Sequence, residues 1–400
     1  MHRCLGAAGL ATLAALLVVP TASAAPMSCR GKTATVVGSS SDDVLRGTRG
    51  PDVIAGRGGA DKIFGKGGRD LICGDDGVDR ILAGDGNDTV VGGGAADYLS
   101  GGTGADEMSG GGGPDTIHGE GGSDDISAGA SGDILSGGPG NDRLAGGGGN
   151  DFASYLHSDS AIDASIPLRS ALGEGNDSLP GIENLEGSSH DDTLTGGSSA
   201  TLIKAGRGND LVRGRGGDDR LVGSRGKDRI WGADGEDVLS GVDGRDHLQG
   251  GAGADLIFGE NGDDDMIGGD GDDELRGARG LDVARGGPGD DYMDGGSEVD
   301  LVSYSDALGP VDINLLSREA SGEGNDTFFG IENADGSDFD DEIDGDGVAN
   351  RLRGKLGNDN IAGSGGDDVL NGNLGVDELD GDDGIDICKN GEVVDSSCEA

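Results

Sequence analysis

Residues 52–80 read DVIAGRGGADKIFGKGGRDLICGDDGVDR, and this stretch decides the fold. Aspartate returns every nine positions, at Asp52, Asp61, Asp70 and Asp79, and two residues after each stands Ile54, Ile63, Ile72 or Ile81. Glycine stands two positions before the aspartate, as Gly59, Gly68 and Gly77, and five before it, as Gly56, Gly65 and Gly74. One apolar residue in nine cannot line a helix, whose buried face needs 3.6-residue spacing. The pattern suits a short strand with one inward side chain, joined to the next by a glycine-permitted turn.

The register extends outward without a break. The first block holds Asp43, Asp52, Asp61, Asp70, Asp79, Asp88, Asp97, Asp106, Asp115, Asp124, Asp133, Asp142 and Asp151. Its apolar companions run from Leu45 to Leu144, and Ala153 closes the block. A second block holds Asp192, Asp210, Asp219, Asp228, Asp237, Asp246, Asp255, Asp264, Asp273, Asp282, Asp291 and Asp300, with Thr201 in one acidic position. A third holds Asp341, Asp359, Asp368, Asp377 and Asp386, with Asn350 in place of one aspartate. Self-similarity at a fixed short period marks a stacked repeat architecture, in which each unit buries its apolar residue only against its neighbours.

The repeat, G-x-x-G-x-D-x-(Ile/Leu/Val)-x with a frequent second glycine, resembles the nonapeptide of RTX, or hemolysin-type, calcium-binding proteins. That resemblance implies an all-β fold, a right-handed parallel β-roll in which two nonapeptides make one 18-residue coil and alternate repeats lie on opposite sheets. It also implies that every aspartate named above is a metal ligand. Aspartates 18 residues apart, such as Asp52 and Asp70, are expected to face one another across a Ca²⁺ completed by turn carbonyls, an all-oxygen set suited to a hard cation. One site per pair of like registers within an array sets a ceiling of about 26 ions. A column of carboxylates repels itself until a cation bridges the coils, so metal binding and folding are expected to be one event.

Two related segments interrupt the arrays. Ser154-Tyr155 recurs as Ser303-Tyr304, Gly173 to Asp177 as Gly322 to Asp326, and Gly181-Ile182-Glu183-Asn184 as Gly330-Ile331-Glu332-Asn333, all at an offset of 149. The expected organisation is a signal peptide at 1–24, an N-terminal cap at 25–37, arrays at 38–153, 187–302 and 336–387, inserts at 154–186 and 303–335, and a disulfide-bonded cap at 388–400. Alternation around Ile162–Ile166 and Val311–Leu315 predicts one strand in each insert, inside an irregular coil that continues the stack.

Composition restricts the function further. The chain has 87 glycines, 3% aromatics and a net charge of −48, so a core of large side chains is excluded. Such a charge disfavours nucleic acid and anionic membranes. Arg3, the apolar run Leu5–Val19 and Ala22-Ser23-Ala24 read as an export signal, placing the mature chain outside the cell; no segment reads as a transmembrane span. Cys29, Cys73, Cys388 and Cys398 then remain in an oxidising compartment. Three pairings are open; placement favours Cys29–Cys73 and Cys388–Cys398, each tying down one end of the stack.

No H-E-x-x-H, G-x-S-x-G or Walker loop occurs, and His118, His157, His190 and His247 are isolated, with His118 and His247 at solvent-facing repeat positions. The leading expectation is a secreted, non-enzymatic calcium-binding protein with a structural or adhesive role, whose partners are calcium ions and a cell-surface or extracellular polymer. The alternatives are a hydrolase or polysaccharide-modifying enzyme, with the inserts carrying the site and Glu183 and Glu332 its test positions, and a secreted toxin or adhesin.

Overall fold

The computed structural model describes residues 28–391, 393–394 and 397–399. The expected signal segment 1–24 lies outside them. Among the described residues every regular element is a strand, and most repeats supply one of six residues, such as Lys62–Gly67, Arg80–Asp85 and Tyr98–Thr103. These pair in parallel at a register of 18: Ile63 opposes Ile81, which opposes Leu99, which opposes Ile117. The intervening repeats pair likewise on a second sheet, with Ile54, Ile72, Val90 and Met108 in one row. Two nonapeptides therefore make one coil, and alternate repeats lie on opposite sheets. The chain is a parallel β-solenoid of about 20 coils, roughly 100 Å long at the usual strand spacing.

The core is thin and continuous. One apolar cluster runs from Leu45 to Leu379, with Ile63, Leu99, Leu239 and Ile343 all fully buried. In each six-residue strand only two side chains point inward: the aliphatic residue two after the aspartate, and a glycine or alanine two further on. In Tyr98–Thr103 these are Leu99 and Gly101. The glycines two before the aspartate serve the stacking itself. Gly77 has φ +134°, and any side chain there would run into the Gly59 carbonyl of the preceding coil.

The arrays form one rod. Ala153 pairs with Leu185 and Leu185 with Ile203, so the first sheet passes through the first insert unbroken. The inserts correct the expectation of a single strand. Besides the strand that continues the facing sheet, each contains an excursion of three short strands, Asp163–Ser165, Ser170–Leu172 and Asn176–Ser178 in the first, the middle one antiparallel to both others. The outer two pair in parallel with the neighbouring arrays. The second insert repeats this with Asp312–Asn314, Glu319–Ser321 and Asn325–Phe329. An antiparallel strand thus interrupts each otherwise parallel sheet once.

Both expected disulfides form, with Cα separations of 5.7 and 5.6 Å. In the loop-entropy picture they contribute about 4 and about 3 kcal/mol. Cys388–Cys398 closes the last coil, whose strands Val393–Val394 and Cys398–Glu399 extend both sheets. Cys29–Cys73 does something else: it staples the hairpin Ser28–Cys29/Lys32–Thr33 against the outer face of the second sheet, beside Leu71. Arg30 from this hairpin reaches Glu107 at 2.8 Å, further along the same sheet. No helix among the described residues is long and apolar enough to cross a membrane.

A stack with one aliphatic layer per turn responds locally to a cavity. Leu239→Ala is expected to cost about 2–4 kcal/mol. It should speed hydrogen exchange in Arg220–Gly226 and Leu256–Asn261, the strands on either side, and leave the first and third arrays unchanged.

Candidate metal centre

Two buried rows of aspartate run the length of the rod, one along each edge of the core. The amide of Asp61 donates to Oδ1 of Asp79 at 2.8 Å, that of Asp79 to Asp97 at 2.8 Å, and that of Asp97 to Asp115 at 2.8 Å. The second row repeats this from Asp52 to Asp70, then Asp88 and Asp106, at 2.7–2.8 Å. The same link continues through Asp124, Asp133, Asp142 and Asp151. In the second array it joins Asp192, Asp210, Asp228, Asp246, Asp264, Asp282 and Asp300 in one row. The other row is Asp219, Asp237, Asp255, Asp273 and Asp291. Asp341, Asp359 and Asp377 form one row of the third array, and Asp386 accepts from Asp368 in the other.

Carboxylates 18 residues apart do not converge on a common point. They stack in series, each spending one oxygen on the amide of the aspartate one coil earlier. Among the described residues no three carboxylate, imidazole or thiol side chains converge as a metal cluster.

The second carboxylate oxygen decides what the row can do. In every aspartate from Asp61 to Asp151, every one from Asp210 to Asp300, and in Asp359, Asp368 and Asp386, Oδ2 is buried and accepts no hydrogen bond. A buried, unpaired carboxylate oxygen is costly unless a cation meets it. Oδ2 lies in a notch against the glycine five residues earlier. A methyl group on Gly56 would come within 2.5 Å of Asp61 Oδ2 and 2.6 Å of the Gly74 carbonyl in the next coil. A carboxylate oxygen and a main-chain carbonyl sharing a space that a side chain would fill form an oxygen-only donor set, which fits Ca²⁺ and no soft metal.

Burial raises these carboxyls despite the amide bond that each accepts. Asp97 and Asp124 are pushed up to about 7 and Asp291 to about 8, by burial first and by repulsion from neighbouring aspartates second. Asp88 is raised to about 6 by the same causes.

Four of the sequence-predicted ligands sit in a different environment. In Asp43, Asp52, Asp192 and Asp341, Oδ2 already accepts the amide of the residue four before it, Ser39, Thr48, Ser188 or Ser337, at 2.5–2.6 Å. Four further carboxylates belong to the rows and escaped the nine-residue count. Asp142 donates to Asp177 and Asp291 to Asp326, across 35 residues; Asp151 donates to Glu183 and Asp300 to Glu332, across 32. The signal was present in the GEGND and GIEN matches between inserts, but the antiparallel excursion hides their spacing. Glu183 and Glu332 are thus rungs of the ladder through one oxygen each. His118 and His247 stand on the outward side of their strands, where His118 lies beside Tyr98 with ring centroids 5.4 Å apart and His247 contacts Asp265 at 3.0 Å; both are half-buried there.

Raised carboxyl values give the metal-free rod a definite pH dependence. A buried aspartate that holds its proton up to about pH 7 favours the coiled state in acid, and loses that contribution as pH rises from about 4 to about 8. The metal-free chain should therefore show its strongest strand signal by circular dichroism near pH 4 and lose it by pH 8. Cation binding near pH 7 should release protons, read by calorimetry as heats that depend on the buffer's ionisation enthalpy.

The family model of the RTX calcium-binding nonapeptide repeat matches residues 37–72, 74–153, 180–302 and 353–388 in overlapping copies. The gaps coincide largely with the two inserts and the opening of the third array. No curated protein matches the chain in sequence. With more than half of its length accounted for by that repeat, on a solenoid whose coils place the repeat aspartates in register, the chain belongs to the RTX calcium-binding nonapeptide repeat family.

Proposed function

We propose that this is a secreted, non-enzymatic protein that folds on binding extracellular calcium and then serves as a rigid structural or adhesive rod. The observation that carries the reading is the double row of buried carboxylate oxygens left without a hydrogen-bond donor in all three arrays. In this reading those aspartates and the carbonyls beside them hold Ca²⁺. Each ion offsets the burial cost of a carboxylate and ties one coil to the next. Affinities in the range of extracellular modules, with dissociation constants on the order of 10⁻⁴ to 10⁻³ M, would keep the rod formed outside the cell and unformed at cytosolic calcium.

The export reading of residues 1–24 and the two disulfides support an extracellular location. The alternative of a polysaccharide-modifying enzyme is less well supported, because Glu183 and Glu332 each commit one carboxylate oxygen to a main-chain amide of the ladder. A calcium-organised rod carrying exposed charge and scattered outer-face aromatics, such as Phe64 under Arg46 and Tyr98 under Arg80, suits a cell-surface or extracellular polymer as partner.

Far-UV circular dichroism of the purified chain at pH 7.5 tests the reading. Strand signal should appear as calcium rises through the millimolar range and vanish in excess EGTA, with magnesium a poor substitute because it demands a smaller, more regular shell. Spectra that are the same in calcium and in chelator would sink the proposal.

A further inference from the structure

The ladder has two kinds of turn, and their distribution is not random. In the common kind the residue four before the aspartate lies in the left-handed region, as at Arg57 (φ 84°), Lys66 (84°), Glu120 (75°) and Arg215 (88°), and the aspartate's Oδ2 is bare. In the second kind that residue is not left-handed, and its amide turns onto the ladder side chain. Ser39 serves Asp43, Thr48 serves Asp52, Ser188 serves Asp192 and Ser337 serves Asp341, each adding its hydroxyl at 2.6–3.0 Å. Gly197 likewise donates to Thr201 Oγ1 at 3.2 Å, and Asp346 to Asn350 Oδ1 at 2.8 Å. These six turns are the first two of each array, repeated at the offset of 149.

The inserts close their own rungs as well. The Tyr155 hydroxyl donates to Oδ2 of Asp177 at 3.0 Å and Tyr304 to Oδ2 of Asp326 at 2.6 Å, both tyrosines being buried. A phenol here occupies the oxygen that stands bare in the arrays. Thr201 and Asn350, which read as defects in the sequence, carry no charge that a cation would have to neutralise.

We propose that the opening coil of each array, and the insert that precedes it in the second and third, close without metal. On the calcium reading above, the rod is then three calcium-dependent blocks separated by two metal-independent seams, residues 154–201 and 303–350. The seams carry apolar side chains of their own, Ile162, Ala164, Leu179 and Leu194 in the first and Ile313, Phe328 and Ile343 in the second. As calcium falls, the arrays loosen while the seams hold; as it returns, each seam presents a formed coil on which the next array winds. The costly first turn of a solenoid is thereby supplied by protein alone.

Hydrogen exchange of the full-length chain, read by mass spectrometry at graded free calcium, tests this. At a calcium level where 210–300 exchanges freely, peptides within 154–201 and 303–350 should exchange at least about ten-fold more slowly. Seams that loosen together with the arrays in one step would overturn the proposal and leave the calcium reading standing. Protection that ignores calcium everywhere would overturn both. In the double variant Tyr155→Phe and Tyr304→Phe, the oxygen on Asp177 and Asp326 is left bare at nearly constant shape. Its seams should stay protected in saturating calcium and lose about ten-fold or more of their protection in chelator; seams as slow as the parent's in chelator would also overturn the proposal.

Discussion

Most ladder aspartates give one oxygen to the amide of the residue a coil earlier and turn the other, with no hydrogen-bond donor, into a notch against a glycine, and this half-satisfied carboxylate constrains the whole molecule. Successive carboxylates stand one strand spacing apart, where two unit charges repel by about 3 kcal/mol at an effective dielectric of 20. Protonation relieves the repulsion at the expense of charge; a divalent cation relieves it while adding a bond between coils. With one aliphatic side chain per nonapeptide and a glycine-rich backbone to order, the core alone cannot override that repulsion. The raised carboxyls and the oxygen-lined notches are two expressions of the same constraint.

The glycine pattern follows from it. The position five before the aspartate is small because the bare oxygen lies against it; alanine is accommodated at Ala83, Ala128 and Ala205, all fully buried. The position two before is usually glycine because it is left-handed and faces the preceding coil's carbonyl, though Ala95, Ser131 and Glu298 also stand there. The position four before needs only a left-handed backbone, and arginine, lysine and glutamate all occupy it. Three positions that look alike in the sequence therefore answer to three requirements, and only the first concerns a ligand directly.

The period of nine made the strands and the apolar row legible in the sequence, because each depends on local spacing that recurs many times; the 18-residue coil and the two-sheet arrangement were legible only through the family that the repeat resembles. Both cysteine pairings were legible from placement. What escaped depends on partners at irregular separations. Asp177 and Glu183 join the rows across 35 and 32 residues, since the antiparallel excursion consumes chain without advancing the coil. Its strands are three residues long and mostly polar, too short for alternation to declare them. The Cys29 hairpin lies along the face of a sheet because Cys73 points outward, three residues after Asp70, a parity that the pairing alone does not convey. The series stacking of carboxylates was hidden because sequence spacing gives adjacency, not the direction in which an oxygen points.

Parity also governs how the inserts sit in the rod. The second array, which lies between the inserts, has thirteen registers counting Thr201, an odd number, so an insert that opens on one sheet recurs 149 residues later on the other. Accordingly the first insert places its antiparallel strand in the second sheet, between Arg143–Gly148 and Thr193–Thr195, and the second places its own in the first sheet, between Tyr292–Ser297 and Glu342–Asp344. The facing sheet advances by only one strand at each insert, Phe152–Ser154 to Asn184–Glu186 and Leu301–Ser303 to Asn333–Asp335. Each insert therefore widens one sheet by two strand spacings that the other lacks, roughly 10 Å. An odd array between duplicated inserts thus places one antiparallel excursion in each sheet, so that neither sheet carries both.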